Sequence, residues 1–529
     1  MRIPFLFYIT PQLLAKNYFV WLNFYFKIGS FSKSEYKMIT PEAVYTAELP
    51  VQNKSVTTSL FEVSHWQFKI FSLLWAIATL FHMGHSGIYD DKLVYAFLSL
   101  TAFFVIFRPG NLIAFILLIC FQLYDIIFLL PAVTNHWLFT GFVNLTIIQA
   151  LIYLFYKNRS FRVNQGELLK TFTPAIRAEV IILYFYAVFQ KLNSGFLSPE
   201  VSCATDLLKA QPLPDFIPLS PELISFNAYF TLIIEAAIPL LLVFRKTRPW
   251  GILFGLIFHS ILSYNAFNAY YDFSSMIFAA YFLFASPQFS YFVARQWAKI
   301  TRANPFNNIN TEFSFFRLFV YLCILLGGLI VFHVLNRELF NFYIFHLYFF
   351  WTGYSLIYIG LFFLFLLSKQ SKNSDNSYHL TWPHWSFVIL PLIVFFNGLS
   401  PYLGLKTENS YSMFSNLRTE GGISNHYIMP ASLQIFDYQK DVVEIVSSTD
   451  PYLQEMAETN NLMVYFSFKD HVARIRPERV EYIRNGTRQT FELSKAAGND
   501  DLLLKNNVLL RKLLWFRPVS KLNPQPCSH

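Results

Sequence analysis

The chain has 529 residues, 54% hydrophobic and 19% aromatic but only 14% charged, where a soluble domain carries about a quarter. A soluble core cannot hold that surplus, so lipid is the solvent for most of the protein. The net charge of +9 would suit nucleic acid, but the lysines and arginines stand at the ends of apolar runs rather than on one basic face, and no glycine-rich phosphate loop, CxxC pair, HExxH or nucleophile elbow occurs; nucleic-acid partners and the common soluble enzyme classes are set aside.

Residues 1–65 hold aromatic pieces such as Phe19 to Phe26, broken by Lys16, Lys27, Lys33 and Lys37. With no short apolar core before a small-residue cleavage site, they read as a cytoplasmic or interfacial segment rather than a signal peptide. Apolar runs then follow at 67–84, 93–107, 112–131, 136–156, 176–196, 225–244, 249–265, 269–289, 314–335, 342–368 and 385–403, about eleven runs near the roughly 20 residues that cross a bilayer as helix. Positive charge falls on alternate loops, at Arg108, Lys157 to Lys170, Arg245 to Arg248, Arg295 to Arg302 and Lys369 to Lys372, on the same side as the basic N-terminus. The opposite loops carry Asp90, Asp91, Glu200, Asp206, Asp215 and Glu222. The positive-inside rule therefore predicts a cytoplasmic N-terminus and an extracytoplasmic C-terminus, in a bacterial inner membrane or one of the endoplasmic-reticulum type.

Residues 404–529 change character and predict a small α+β domain. Leu462 to Phe468, Val480 to Ile483 and Gln489 to Leu493 read as strands, with Asn485-Gly486 as a type I′ hairpin turn, and Asp500 to Trp515 reads as a closing amphipathic helix. The predicted architecture is thus an all-α polytopic membrane bundle over 66–290 and 291–403 with a C-terminal extracytoplasmic α+β domain. Cys203 and Cys527 both fall on the outer side, where oxidation is allowed, while Cys120 and Cys323 lie within apolar helices as small hydrophobes.

Ionisable groups at membrane depth are costly, so those that remain line a cavity or pair with one another. They are Asp125, His136, Lys191, Glu235, His259 and His346, with His82 and His85 at the outer end of the first span. Lys191 admits two readings: an interfacial lysine snorkelling to the headgroups, or a buried amine able to act as a base. Glu235, in mid-run, cannot snorkel; it needs an ion-pair partner such as Lys191 or Arg177, or a place in a reaction site. His259 can cross-link helices or relay a proton. Asn135 and His136 open a helix, as a cap and interface pair or as binding residues. The topology puts Asn135, His136 and Lys191 near the outer face and Glu235 and His259 closer to mid-depth, so one cavity could collect them. No motif specifies a metal.

Asn135-His136-Trp-Leu-Phe, Tyr184-Phe-Tyr-Ala-Val-Phe-Gln-Lys191-Leu, Glu235 followed by Pro239 and Arg245-Lys-Thr-Arg248, Phe258-His259 and Phe282-Leu-Phe-Ala-Ser-Pro287 occur in an order that resembles the horizontally transferred transmembrane (HTTM) family, which includes vitamin K-dependent gamma-glutamyl carboxylase. The resemblance covers residues 65–290. It implies a membrane enzyme in which reduced vitamin K or a related quinol, oxygen and carbon dioxide act at an outward-facing site, on a peptide or small-molecule carboxylate. It further implies that Lys191 deprotonates the hydroquinone, with Glu235 and His259 beside it and Asn135, His136 and Tyr184 around the quinol. The run from Ser400 to Gly422 resembles a junction in microbial relatives and reads as the floor of the site, with Arg418 and Glu420 as substrate contacts or a loop-fixing ion pair. The competing readings are a non-catalytic scaffold or immunity-type member of the same family, and a transporter, for which the chain shows no inverted repeat.

Overall fold

Helix boundaries follow the caps and prolines of the sequence. The computed structural model describes residues 54–86, 93–212, 219–265, 270–301, 342–372, 381–496, 498 and 500–527; the N-terminal segment before residue 54 and the expected span at 314–335 lie outside them. The helices are α1 (Lys54–Ser86), α2 (Leu93–Phe107), α3 (Leu112–Leu129), α4 (Asn135–Asn158), α5 (Gln165–Phe189), α6 (Cys203–Lys209), α7 (Pro221–Val243), α8 (Arg248–Leu262), α9 (Tyr271–Phe282), α10 (Pro287–Thr301), α11 (Phe342–Leu367) and α12 (Ile389–Leu403). Asn111, Asn164 and Ser220 cap α3, α5 and α7 by accepting from Ala114, Glu167 and Leu223 N–H groups, and Gly404, at φ +79°, ends α12 in the left-handed conformation that suits glycine.

Among the described residues, six helices are long and apolar enough to cross a membrane: α3, α4, α5, α7, α11 and α12 with the short 3₁₀ turn before it. Helices α9 and α10 pass that test only as a pair, bent by 108°, while α2 and α8 are shorter apolar helices. The expectation of about eleven spans is therefore met only in part. The expected run at 176–196 starts too late: α5 begins at its Asn164 cap and ends at Phe189. Its first half is too polar to stand out by hydropathy, yet its charged side chains find partners inside the bundle. Arg177 donates to the Leu283 carbonyl and lies 5.5 Å from the Phe284 ring, and Glu179 accepts from Thr146 Oγ1 at 2.5 Å.

Aromatic side chains fill the bundle, with Phe71, Trp75, Phe115, Phe172, Phe278 and Trp351 all buried. The opposite faces are apolar but exposed, as at Tyr124, Ile127 and Phe128 on α3, Phe226, Tyr229 and Ile233 on α7, and Leu356, Ile357 and Leu364 on α11. Apolar surface on that scale is compatible with a lipid bilayer and poorly compatible with water.

The C-terminal domain is a five-stranded antiparallel sheet of order β4-β3-β1-β2-β5, formed by β1 (Val442–Ser448), β2 (Asn461–Val464), β3 (Arg479–Arg484), β4 (Thr487–Glu492) and β5 (Val519–Ser520). Helices α13 (Pro451–Glu458) and α14 (Tyr465–Ile475) share its core, where Val443, Ile445, Leu453, Phe468 and Val480 are buried. The predicted hairpin forms, with Asn485 and Gly486 at φ 51° and 75°, as a type I′ turn demands. Two expectations are corrected. Leu462 to Phe468 is not one strand: β2 stops at Val464 and α14 starts at Tyr465, because Phe468 and Val472, four residues apart, pack into the core as a helical pair. Asp500 to Trp515 is not one helix either; its asparagines and aspartate cap short pieces, Asp500 a 3₁₀ turn and Asn507 the six-residue α15 (Val508–Leu513).

A disulfide joins Cys203 to Cys527, tying the chain's end to α6. The junction after α12 is stitched to the turn after α5. Gln190 donates to the Gly398 and Ser410 carbonyls at 3.0 and 2.8 Å, and Asn193 to the Ser415 carbonyl at 2.6 Å. Asn416 accepts from Cys203 N–H at 2.8 Å.

Candidate functional site

Two buried polar groups occupy the bundle. The first is built around Lys191, the second residue past the end of α5, whose Nζ donates to Glu235 Oε2 of α7 at 2.5 Å. Both side chains are largely out of solvent, at 9% and 13% exposure. Alongside, Tyr184 of α5 bonds His259 Nε2 of α8 at 2.5 Å and Tyr281 of α9 through their hydroxyls. Glu235 lies within electrostatic reach of both tyrosine hydroxyls, and Lys191 within reach of His259. The approach of α9 depends on Gly255 of α8, since a Cβ there would fall 2.5 Å from the Tyr281 hydroxyl oxygen. Phe196 stands 5.8 Å from Lys191 Nζ, and the rings of Phe258 and Phe273 each lie 5.2 Å from His259. Among the described residues, His259 Nδ1 is buried with no hydrogen-bond partner.

Lys191 is therefore not a lone amine. It is paired with a carboxylate, an arrangement that low dielectric makes strong and that leaves a costly charge if one partner is removed. Four of the residues named from sequence, Lys191, Glu235, Tyr184 and His259, come together here; Tyr281 was not among them.

The second group gathers residues from α1, α4 and α9. His82 Nδ1 and His136 Nε2 each lie 2.8 Å from Asp272 Oδ2, and all three side chains are buried. The His82 ring stacks on Trp137 at 3.6 Å, and Trp137 Nε1 donates to Asp125 at 2.9 Å. The expected single cavity thus divides in two: His136 turns onto Asp272 while Phe273 contacts both the His136 and the His259 rings, at 6.1 and 5.2 Å. Asp272 escaped the sequence reading. Its signal was a carboxylate within Tyr270-Tyr271-Asp272-Phe273, just inside an apolar run.

Asn135, expected as a cap or a binding residue, is neither the cap nor near Lys191 in its bonding. Thr134 holds the cap position, and Asn135 Oδ1 accepts from the Tyr411 N–H at 2.8 Å, fastening the junction loop. Arg418 and Glu420 are buried in that same loop. Arg418 Nη1 donates to the Ser520 carbonyl of β5 at 2.9 Å, and Glu420 accepts from the Thr419 N–H at 2.8 Å, so their observed bonds fix the loop beneath the domain. No protein-family model, curated protein or solved structure matches the chain.

Proposed function

We propose that the chain is an integral membrane enzyme of the carboxylase-like type, in which Lys191, Glu235, Tyr184 and His259 handle the proton of a lipid-soluble hydroquinone. The observation that carries this reading is the Lys191–Glu235 pair, held beside the Tyr184–His259 bond by three helices, α5, α7 and α8, and the turn after α5. Reduced vitamin K or a related quinol, when bound, would supply with oxygen the base that takes a proton from a carboxylate substrate before carbon dioxide adds. The residues present suit such a molecule: among the described residues His259 Nδ1 is a buried polar atom without a partner, and the aromatic rings of Phe196, Phe258 and Phe273 stand beside Lys191 and His259.

The pair sets an amine nitrogen and a carboxylate oxygen side by side in the bundle, within reach of a ligand hydroxyl. A hydroxyl proton can then be accepted on one partner while the other keeps its own. Tyr184 orients His259 by occupying Nε2, which leaves Nδ1 for the ligand. Asn135 acts indirectly, by holding Tyr411 and the loop above, and Arg418 and Glu420 shape that loop for a peptide or small carboxylate substrate.

The C-terminal domain is assigned to the extracytoplasmic side, supported by the Cys203–Cys527 disulfide, a bond of oxidising compartments, and by the positive loops. The test is epoxide formation by purified protein in detergent with reduced vitamin K and oxygen. Lys191→Ala should abolish it. Turnover unchanged in that variant would remove Lys191 from the mechanism; no turnover with any quinol would favour a non-catalytic membrane scaffold.

A further inference from the structure

We propose that His82, His136 and Asp272 form a binding site for one divalent transition-metal ion of the zinc or ferrous class. The three offer one ligand atom each, and these atoms all lie within 4.8 Å of one another. Two imidazoles and one carboxylate are a donor set suited to zinc and to non-haem iron, both of which leave a position open for water or substrate. An ion with bonds of about 2.0–2.2 Å holds its ligands about 3.3 Å apart. The two 2.8 Å contacts to Asp272 Oδ2 would open by about half an ångström, and the two imidazole nitrogens, within 4.8 Å of each other, would draw together around the ion.

Charge favours a cation here. Asp272 is 3% exposed, and among the described residues its ion-pair partners are the two imidazoles alone, with no lysine or arginine. A carboxylate so far from water needs a positive counterpart, which is either a proton on an imidazole or a metal ion between the rings. The setting is also rigid in the way a metal site requires. Trp137 fixes the plane of the His82 ring by stacking, and its own indole is held by Asp125. Beside the triad lies a cavity of about 10 Å³ lined by His136, Asp272, Thr140 and Trp75. That is about the space one water needs, next to two of the three ligands. Because the ligands come from α1, α4 and α9, a bound ion would also clamp three helices that are far apart in the chain.

This site goes beyond the quinol reading and can fail independently of it. Full-length protein in detergent, stripped with a chelator, is titrated with Co²⁺ alone and followed by its visible d–d absorption, with Zn²⁺ as competitor and metal content by mass spectrometry. One Co²⁺ per chain, displaced by Zn²⁺, is the expected result. Loss of an outer partner alone costs about 10–100-fold in metal affinity, so Asp272→Asn and His136→Ala, which remove ligands, should cost at least about 100-fold. Asp272→Asn keeps the shape of the side chain and decides the matter if His136→Ala does not fold. His384→Ala, at an exposed histidine, should bind Co²⁺ as the unaltered protein does. Equal Co²⁺ affinity in the unaltered and Asp272→Asn proteins, both monodisperse, would overturn the site, as would loss of binding in His384→Ala.

Discussion

Lys406 stands three residues past the end of α12, where burial pushes its ammonium group down from 10.5 to about 8. Below pH 8 both folded and unfolded chains carry the proton, and the folded state bears a constant penalty for burying it. Between pH 8 and 10.5 the unfolded chain binds more protons than the folded one, so this residue's contribution to stability rises with pH. Lys406→Met should therefore be more stable than the unaltered protein at pH 7, and the gap in melting temperature should shrink as pH rises from 8 to 10. A gap that stays constant over that range would show that Lys406 is solvated in the folded chain. Lys191 differs in its surroundings, since its burial comes with a carboxylate at 2.5 Å. From sequence, Lys191 and Glu235 were visible as costly polar groups in apolar runs, and pairing between them was one of the readings left open. Asp272 was less legible because its partner His82 is 190 positions away, and nothing local to either residue marks the contact.

At the level of elements, the sequence announces what is decided locally. The turn at Asn485-Gly486 could be read directly, because backbone sterics fix it, whereas Asn135, which reads as a cap, yields that position to Thr134. What packing decides was read poorly: β2 gives way to α14 after four residues, and α5 extends eleven residues before the point where its apolar run starts. Helix α12 owes its close approach to α5 to Gly398, where an added Cβ would run into the Tyr186 ring. Gly398→Ala should cost about 1–3 kcal/mol, as overpacking does in a filled core, read as a lower melting temperature in detergent. A neutral substitution would mean that the ring of Tyr186 has room to move aside.

Across the whole molecule, the disulfide from Cys203 to Cys527 brings the chain's end back to α6, and the junction loop threads between bundle and sheet through Asn193, Gln190 and Asn416. An outward domain with this bond should keep both thiols closed to maleimide until reduction, and a cysteine placed at exposed Asn485 should react with an impermeant maleimide in intact cells. Labelling of that position only after permeabilisation would put the domain on the cytoplasmic side. In the proposed function the Lys191–Glu235 pair performs chemistry and is not merely a fastening between α5 and α7. Removing one partner of a buried pair costs about 3–5 kcal/mol, whereas replacing both with apolar residues is far milder. The direct measurement is quinol-dependent epoxide formation alongside melting temperature in Lys191→Met, Glu235→Leu and the double variant. The account predicts that the double variant recovers most of the lost stability and none of the activity; a double variant that turns over quinol like the unaltered protein would contradict it.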